Sequence, residues 1–247
     1  MRYLILSDIH ANIDALDSVL DAAPADTWDR ALVLGDLVGY GAEPNAVIER
    51  VLALDPLMVI RGNHDKAACG IDDGSSFNVV ARTAALWTMD TLTAANREYL
   101  RALPAGPAVI DPDVEICHGA PFDEDHYIFD SEDASRALDA ARRPRCLFGH
   151  THLPVIFLRT PARFEGFAPD GDDDIDLLFE TGTSYLINVG SVGQPRDGDP
   201  RAAFGIYDSD TTSLRVRRVA YPVAQAQRRI LDAGLPPSLA NRLSIGR

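Results

Sequence analysis

Tyr3-Leu4-Ile5-Leu6-Ser7-Asp8-Ile9-His10-Ala11-Asn12 opens the chain with a short apolar run that breaks into a polar loop. Residues 3–6 have the length and apolar continuity of a buried strand. Ile13, Leu16, Val19 and Leu20 then recur at helical spacing. Residues 31–34 form a second apolar run, closed by Gly35, and Pro44 stands where a first helical turn begins, with Val47, Ile48, Val51 and Leu52 on one face. Residues 57–60 supply a third strand. The order β-α-β-α-β requires a parallel sheet with right-handed crossovers.

Working outward, 72–103 reads as a helical insertion, with Thr93 as a cap before Tyr99, Leu100 and Leu103 and with Pro104, Gly106 and Pro107 closing it. Its Phe77, Trp87 and Met89 suit a cap over a site, a dimer contact or ordinary core. A hairpin is expected from 108–110 and 114–117, a helix over 134–141 and a strand over Arg145–Phe148. The remainder is strand-rich, at Val155–Arg159, 176–180, 185–189, 203–207 and 214–219, and a last helix covers about 223–233. A parallel half followed by a more antiparallel half predicts two stacked sheets with helices outside. The acidic stretch 169–176 reads as a solvated hairpin loop rather than a cation site.

The 247 residues, 46% of them hydrophobic, suit one domain spanning 1–247 with a sizeable core. Apolar runs such as 57–60 fall far short of the roughly 20 residues of a membrane helix. The N-terminus has no long apolar h-region, so the expected location is the cytoplasm. Three cysteines without a CxxC pair give neither a disulfide framework nor a sulfur metal site. A net charge of −14 argues against stable nucleic-acid binding, which needs basic surface. It also makes any anionic ligand awkward unless bound divalent cations reverse the local field. Lys66 is the only lysine, which reads as coding bias.

The informative pattern is where Asp, His and Asn fall. Asp8 and His10 follow the first strand, Asp36 the second, Gly62-Asn63-His64-Asp65 the third, His118 the 114–117 strand, and Gly149-His150-Thr151-His152 the Arg145–Phe148 strand. Ligands of open α/β sheets bind at these carboxyl ends. Asp8 and His10, two apart on extended backbone, can grip one ion, and a carboxylate such as Asp36 can bridge two. Imidazoles, carboxylates and one amide oxygen suit transition metals better than calcium: manganese first, then iron, zinc, cobalt or nickel. Each motif alone is weak, since Asp-x-His or Gly-Asp is commonly a turn. The weight lies in the ordered series, each member ending a strand.

The series Asp-x-His, Gly-Asp, Gly-Asn-His-Asp, His and Gly-His-x-His resembles the calcineurin-like metallophosphoesterases over about residues 2–207. Ser7-Asp8-Ile9-His10-Ala11-Asn12, Gly35-Asp36-Leu37-Val38-Gly39-Tyr40-Gly41 and Asn188-Val189-Gly190-Ser191-Val192-Gly193-Gln194-Pro195-Arg196 are most similar to the small bacterial and archaeal phosphodiesterase branch. The resemblance implies an α/β fold, a four-layer αββα sandwich of two stacked mixed sheets flanked by helices. It implies two divalent ions, one on Asp8, His10, Asp36 and His152, the other on Asp36, Asn63, His118 and His150. His64 would be the non-ligand histidine beside the substrate phosphate, with Asp65 orienting it as the catalytic pair. Ala11 and Val189 depart from the common pattern, where Gly and an Asn-Pro-Gly-Ser run are frequent.

The implied reaction is hydrolysis of a phosphodiester or phosphoanhydride in a small phosphorylated, nucleotide-type substrate, by water activated between the ions. A phosphoprotein or phosphomonoester phosphatase is the alternative; it would want a second arginine near the metals, for which Arg61 is the ready candidate. A non-catalytic metal-binding scaffold is the third reading. Asn12, Arg61, Asn188 and Arg196 are the substrate-binding candidates, and Tyr40 and the 122–127 loop are further lining. Arg196 has a competing role as a turn residue paired to Asp197 or Asp199. His126 reads as a loop residue, and oligomeric state is open.

Overall fold

The structure, a computed structural model, describes residues 1–168 and 174–247. β1 (Arg2–Leu6), α1 (Ile13–Ala22), β2 (Arg30–Val33), α2 (Pro44–Leu52) and β3 (Leu57–Val59) give the β-α-β-α-β start, with neighbouring strands parallel. Then come α3 (Asn63–Cys69), α4 (Val79–Thr91), α5 (Ala94–Ala102) and the hairpin of β4 (Ala108–Val109) with β5 (Val114–Ile116). The second half holds α6 (Ser131–Ala140), β6 (Arg145–Phe148), β7 (Val155–Arg159), β8 (Phe164–Phe167), β9 (Ile175–Leu178) and β10 (Ser184–Asn188). It ends with β11 (Ala202–Asp208), β12 (Ser213–Val219), α7 (Val223–Asp232) and α8 (Pro237–Leu243). Among the described residues the strands form two six-stranded mixed sheets, ordered β3-β2-β1-β11-β12-β9 and β4-β5-β6-β10-β7-β8.

Alternation along the strands builds the layers, because successive side chains leave opposite faces. Leu4 and Leu6 of β1 and Val33 of β2 turn outward onto Leu16, Val19, Val47, Ile48 and Ile230 of α1, α2 and α7. Tyr3, Ile5 and Leu32 turn inward and meet Ile116, Leu147, Tyr185 and Ile187 of the other sheet. Cys146, Phe148 and Leu186 leave that sheet on its far side and pack under Ala134, Ala137 and Leu138 of α6. Helix, sheet, sheet, helix: this is the expected αββα sandwich.

Some local expectations change. The 72–103 stretch is not continuous helix: 72–78 is a loop, and Asn78 and Thr93 cap two separate helices by accepting from Ala81 N–H and Asn96 N–H. α6 starts before 134 because Asp130 caps it, its carboxylate accepting from the Glu132 and Asp133 N–H groups. The helices α3 and α8 and the strand β8 were not expected. Of the acidic 169–176 stretch, 169–173 lie outside the described residues, and Asp174 and Asp176 pair with Arg217. Among the described residues no helix is long and apolar enough to cross a membrane.

Candidate metal centre

The carboxyl ends of β1, β2, β3, β5 and β6 converge on one buried cluster. Ligand-type atoms of Asp8, His10, Asp36 and His152 lie within 4.8 Å of one another, as do those of Asp36, His118 and His150, so Asp36 belongs to both groups. His10 Nε2 is 3.1 Å from His152 Nε2 and 3.6 Å from Asp36 Oδ2, and His152 Nε2 is 3.4 Å from Asp8 Oδ1. On the other side His118 Nε2 is 3.5 Å from Asp36 Oδ2 and 3.2 Å from Asn63 Oδ1.

The backbone fixes which nitrogen each ring presents. Val38, Leu34 and Gln194 carbonyls take the Nδ1–H groups of His10, His118 and His152, leaving Nε2 lone pairs for the cluster. His150 is reversed: its Nε2 faces the Asp125 carbonyl at 3.1 Å, leaving Nδ1. To aim these side chains the loops accept left-handed backbone at Asp8, His10, Asp36, His150 and His152, with φ between 49° and 68°. Non-glycine residues rarely adopt it, and such strain clusters at functional sites. Gly62 and Gly149 are equally constrained, since a Cβ would stand 2.1 Å from Asp36 Oδ1 or from Ser7 Oγ.

Electrostatically the cluster is built for cations. Burial pushes the Asp8 carboxyl up to about 6. Burial would raise Asp36 too, but His118, His64 and His10 outweigh it and hold Asp36 well below the usual carboxylate range. Burial also drives His10, His150 and His152 far down, so they are neutral lone-pair donors. His118 alone resists burial and is raised to about 10 by Asp36 and then Asp8. Among the described residues no Lys or Arg ion-pairs with Asp8 or Asp36. Buried carboxylates need compensation, and divalent ions among these donors fit that need.

His64 lies beside the cluster, its ring edge-on to His10 at 5.0 Å and packed on Tyr40 and Phe77. Burial lowers it to about 4, and its buried Nδ1 has no hydrogen-bond partner. It borders a cleft of ≈520 Å³, together with Asn63, His150, Phe77 and Tyr127. Tyr127 stacks on His150 with centroids 3.7 Å apart.

Several expected roles change. Asp65 does not orient His64: its oxygens accept from the Gly62 and Val38 N–H groups, so it pins the turn instead. Asn12 is committed to capping α1 and to the Gly193 carbonyl. Asn188 donates to the Gly149 carbonyl and Thr151 Oγ1 and accepts from Gly190 N–H, holding the histidine loop rather than facing the cleft. Arg61 is locked in a two-pronged pair with Glu124. Arg196 does not pair with Asp197 or Asp199, which hold Arg218 and Arg201. It bonds Tyr40 Oη and Gln194 Oε1 instead. His126 pairs with Asp133 on α6, as a loop residue would. Lys66, dismissed as coding bias, is buried and bonded to Glu124 and Asp125 beside the cleft. Its place directly after Gly62-Asn63-His64-Asp65 was the available signal.

The model of the calcineurin-like phosphoesterase superfamily domain matches residues 1–212. The chain belongs to the calcineurin-like phosphoesterase superfamily. An uncharacterized protein of Methanocaldococcus jannaschii is 32% identical over 259 residues, covering 98% of this chain and 97% of that one. A metallophosphoesterase from Sphaerobacter thermophilus superposes with a TM-score of 0.86 at 38% identity, covering 100% of this chain and 99% of its own. A hypothetical protein from Pyrococcus horikoshii OT3 shares the fold, with a TM-score of 0.80 at 20% identity and coverage of 100% and 98%. The superfamily is one of metal-dependent phosphoester hydrolases, and two clusters sharing Asp36 fit a dinuclear centre.

Proposed function

We propose that this calcineurin-like protein hydrolyses a phosphodiester or phosphoanhydride of a small, nucleotide-type molecule. The observation that carries the reading is the buried Asp36 shared by both clusters, beside a cleft lined by Asn63, His150, His64, Tyr127 and Phe77. Two bound divalent ions, with manganese the first choice, would supply an activated water and positive charge for the phosphoryl oxygens. Asp8, His10 and His152 would hold one ion, Asn63, His118 and His150 the other, with Asp36 close enough to serve both. His64 offers a hydrogen bond to the phosphoryl or leaving oxygen, typically worth ~10²–10⁴-fold. Arg196, which holds no carboxylate among the described residues, is a guanidinium available to a phosphate oxygen. Tyr127 gives an aromatic leaving group a surface to lie on.

The cleft volume of ≈520 Å³ suits a small molecule. The phosphoprotein reading loses support because Arg61, its candidate second arginine, is occupied by Glu124. The test is turnover of bis-p-nitrophenyl phosphate, p-nitrophenyl phosphate, diadenosine tetraphosphate and a phosphopeptide, each with manganese and alongside metal analysis. The diester or the tetraphosphate is expected to lead in kcat/KM. A lead for the phosphopeptide, or no turnover at all, overturns the proposal.

A further inference from the structure

The cleft continues past the metal centre. Beyond Tyr40 and Asn78, which border both spaces, lies a second lobe of ≈470 Å³ walled by Val80, Ser238, Leu239 and Arg242. Two guanidinium groups approach the Tyr40 ring, Arg196 at 5.8 Å and Arg242 at 5.9 Å from its centroid. Neither holds a carboxylate side chain among the described residues. Arg196 is bonded only to Tyr40 Oη and Gln194 Oε1, and its buried Nε has no acceptor. Arg242 gives Nε to the main-chain oxygen of Arg247, the last residue, and its terminal nitrogens hold no protein partner among the described residues. Arg196 and Arg242 thus stand beside one ring with no carboxylate side chain on either among the described residues. Their mutual cost is visible in Arg242, which burial and then Arg196 push down from the usual arginine range.

A second positive element faces the lobe that Arg242 lines. The first turn of α4 lines it with Asn78, Val79 and Val80. The Asn78 side chain takes the Ala81 N–H, and the Val79 and Val80 N–H groups have no partner among the described residues at the positive end of the helix.

We propose that Arg242, Arg196 and the start of α4 form a subsite for a further phosphate of the substrate. The substrate class is then a polyphosphate anhydride, such as a dinucleoside polyphosphate, with at least one phosphate beyond the one attacked. The proposal rests on the phosphoesterase reading above. An anion relieves the repulsion between the guanidiniums, and their planar forks match phosphate oxygens. His10 stands 4.7 Å from the same Tyr40 ring, so a phosphate chain reacting at the cluster passes Tyr40 to reach Arg242. In hydrolysis a water oxygen bonds to the attacked phosphorus and the bridging P–O bond breaks. The departing phosphate keeps the bonding pair, and the proton released by water passes to it or to solvent.

The test compares kcat/KM for diadenosine tetraphosphate and bis-p-nitrophenyl phosphate at fixed free manganese in wild type, Arg242→Gln and Arg242→Lys. Loss of a charge-assisted contact predicts a fall of ~10–100-fold for the tetraphosphate beyond any fall for the diester, chiefly in KM and largely restored in Arg242→Lys. An equal change on both substrates, or a wild type that cleaves only the diester, overturns the subsite and leaves the phosphoesterase reading standing. If wild type cleaves neither, that reading fails, and calorimetric titration of inorganic tripolyphosphate into metal-free protein decides the subsite alone. Binding weakened about tenfold or more in Arg242→Gln upholds it; absent or unchanged binding overturns it.

Discussion

The two halves of the metal centre are held by different means. At the Asp8, His10 and His152 side, backbone carbonyls of Val38 and Gln194 steer both imidazoles. The loop carrying Asp8 is clamped as well, its carbonyl accepting from Ser191 Oγ and Gly193 N–H. At the other side His118 is steered in the same way by Leu34, but His150 relies on the Asp125 carbonyl. That carbonyl sits in a surface loop tied down by Lys66 to Asp125 and by Arg61 to Glu124. Backbone hydrogen bonds inside the sandwich open only with the fold, whereas a half-solvated ion pair such as Lys66–Asp125, with Asp125 47% exposed, opens far more cheaply. The first half is held from within the fold; the second hangs in part on a surface latch.

Asp36→Asn removes the contrast altogether, because both clusters share that carboxylate. Both ions are expected to be lost, with turnover down by at least ~10³-fold. Elemental analysis that still counts two ions per chain would refute the shared role. His64→Ala comes next. His64 touches His10 and Phe77 but adds no atom to either cluster. Both ions should stay while turnover falls ~10²–10⁴-fold. Loss of metal in this variant, or full activity, sinks its assignment as a non-ligand group.

Lys66→Met probes the difference between the halves directly. Freeing Asp125 releases the carbonyl that turns His150, and loss of such an orienting partner typically weakens a metal ~10–100-fold. Manganese titration should show one site weakened and the other unchanged. Two sites weakened equally would mean that the latch serves the whole cluster. Lys66→Arg, which keeps the pair, should recover most of the affinity.

The same contrast explains what was legible in the sequence. Asp8, His10, Asp36, Asn63, His118, His150 and His152 could be picked out because each lies within four residues of a strand's carboxyl end, and strands show in local apolar runs. The layers followed from the same runs. Side chains whose role depends on a distant partner could not be assigned that way. Arg61 looked available until Glu124, 63 positions on, took its guanidinium. Asn188 resembled a phosphate contact, yet its amide closes on Gly149, 39 positions back. Asp65 beside His64 invited a pairing that the Gly62 turn overrides, because two backbone N–H groups are nearer. α8 escaped notice because its seven residues follow Pro236 and show too few turns for a periodicity.

The smallest effect tests how rigid the backbone-held half is. Ala11 lies in the loop after β1 with φ at 52° and its side chain buried. A left-handed conformation costs an L-residue with a Cβ ~1–2 kcal/mol, a cost glycine escapes. Ala11→Gly also gives the unfolded chain more freedom, which offsets ~0.4–1 kcal/mol. The net gain should be roughly 0.5–1 kcal/mol, a rise in Tm of about 1–4 °C for a chain of this size. If the loop is as fixed as its hydrogen bonds imply, the added glycine leaves affinity for both ions unchanged. A lower Tm, or weaker binding at the Asp8 side, would show that the loop depends on the alanine side chain and is the softer half after all.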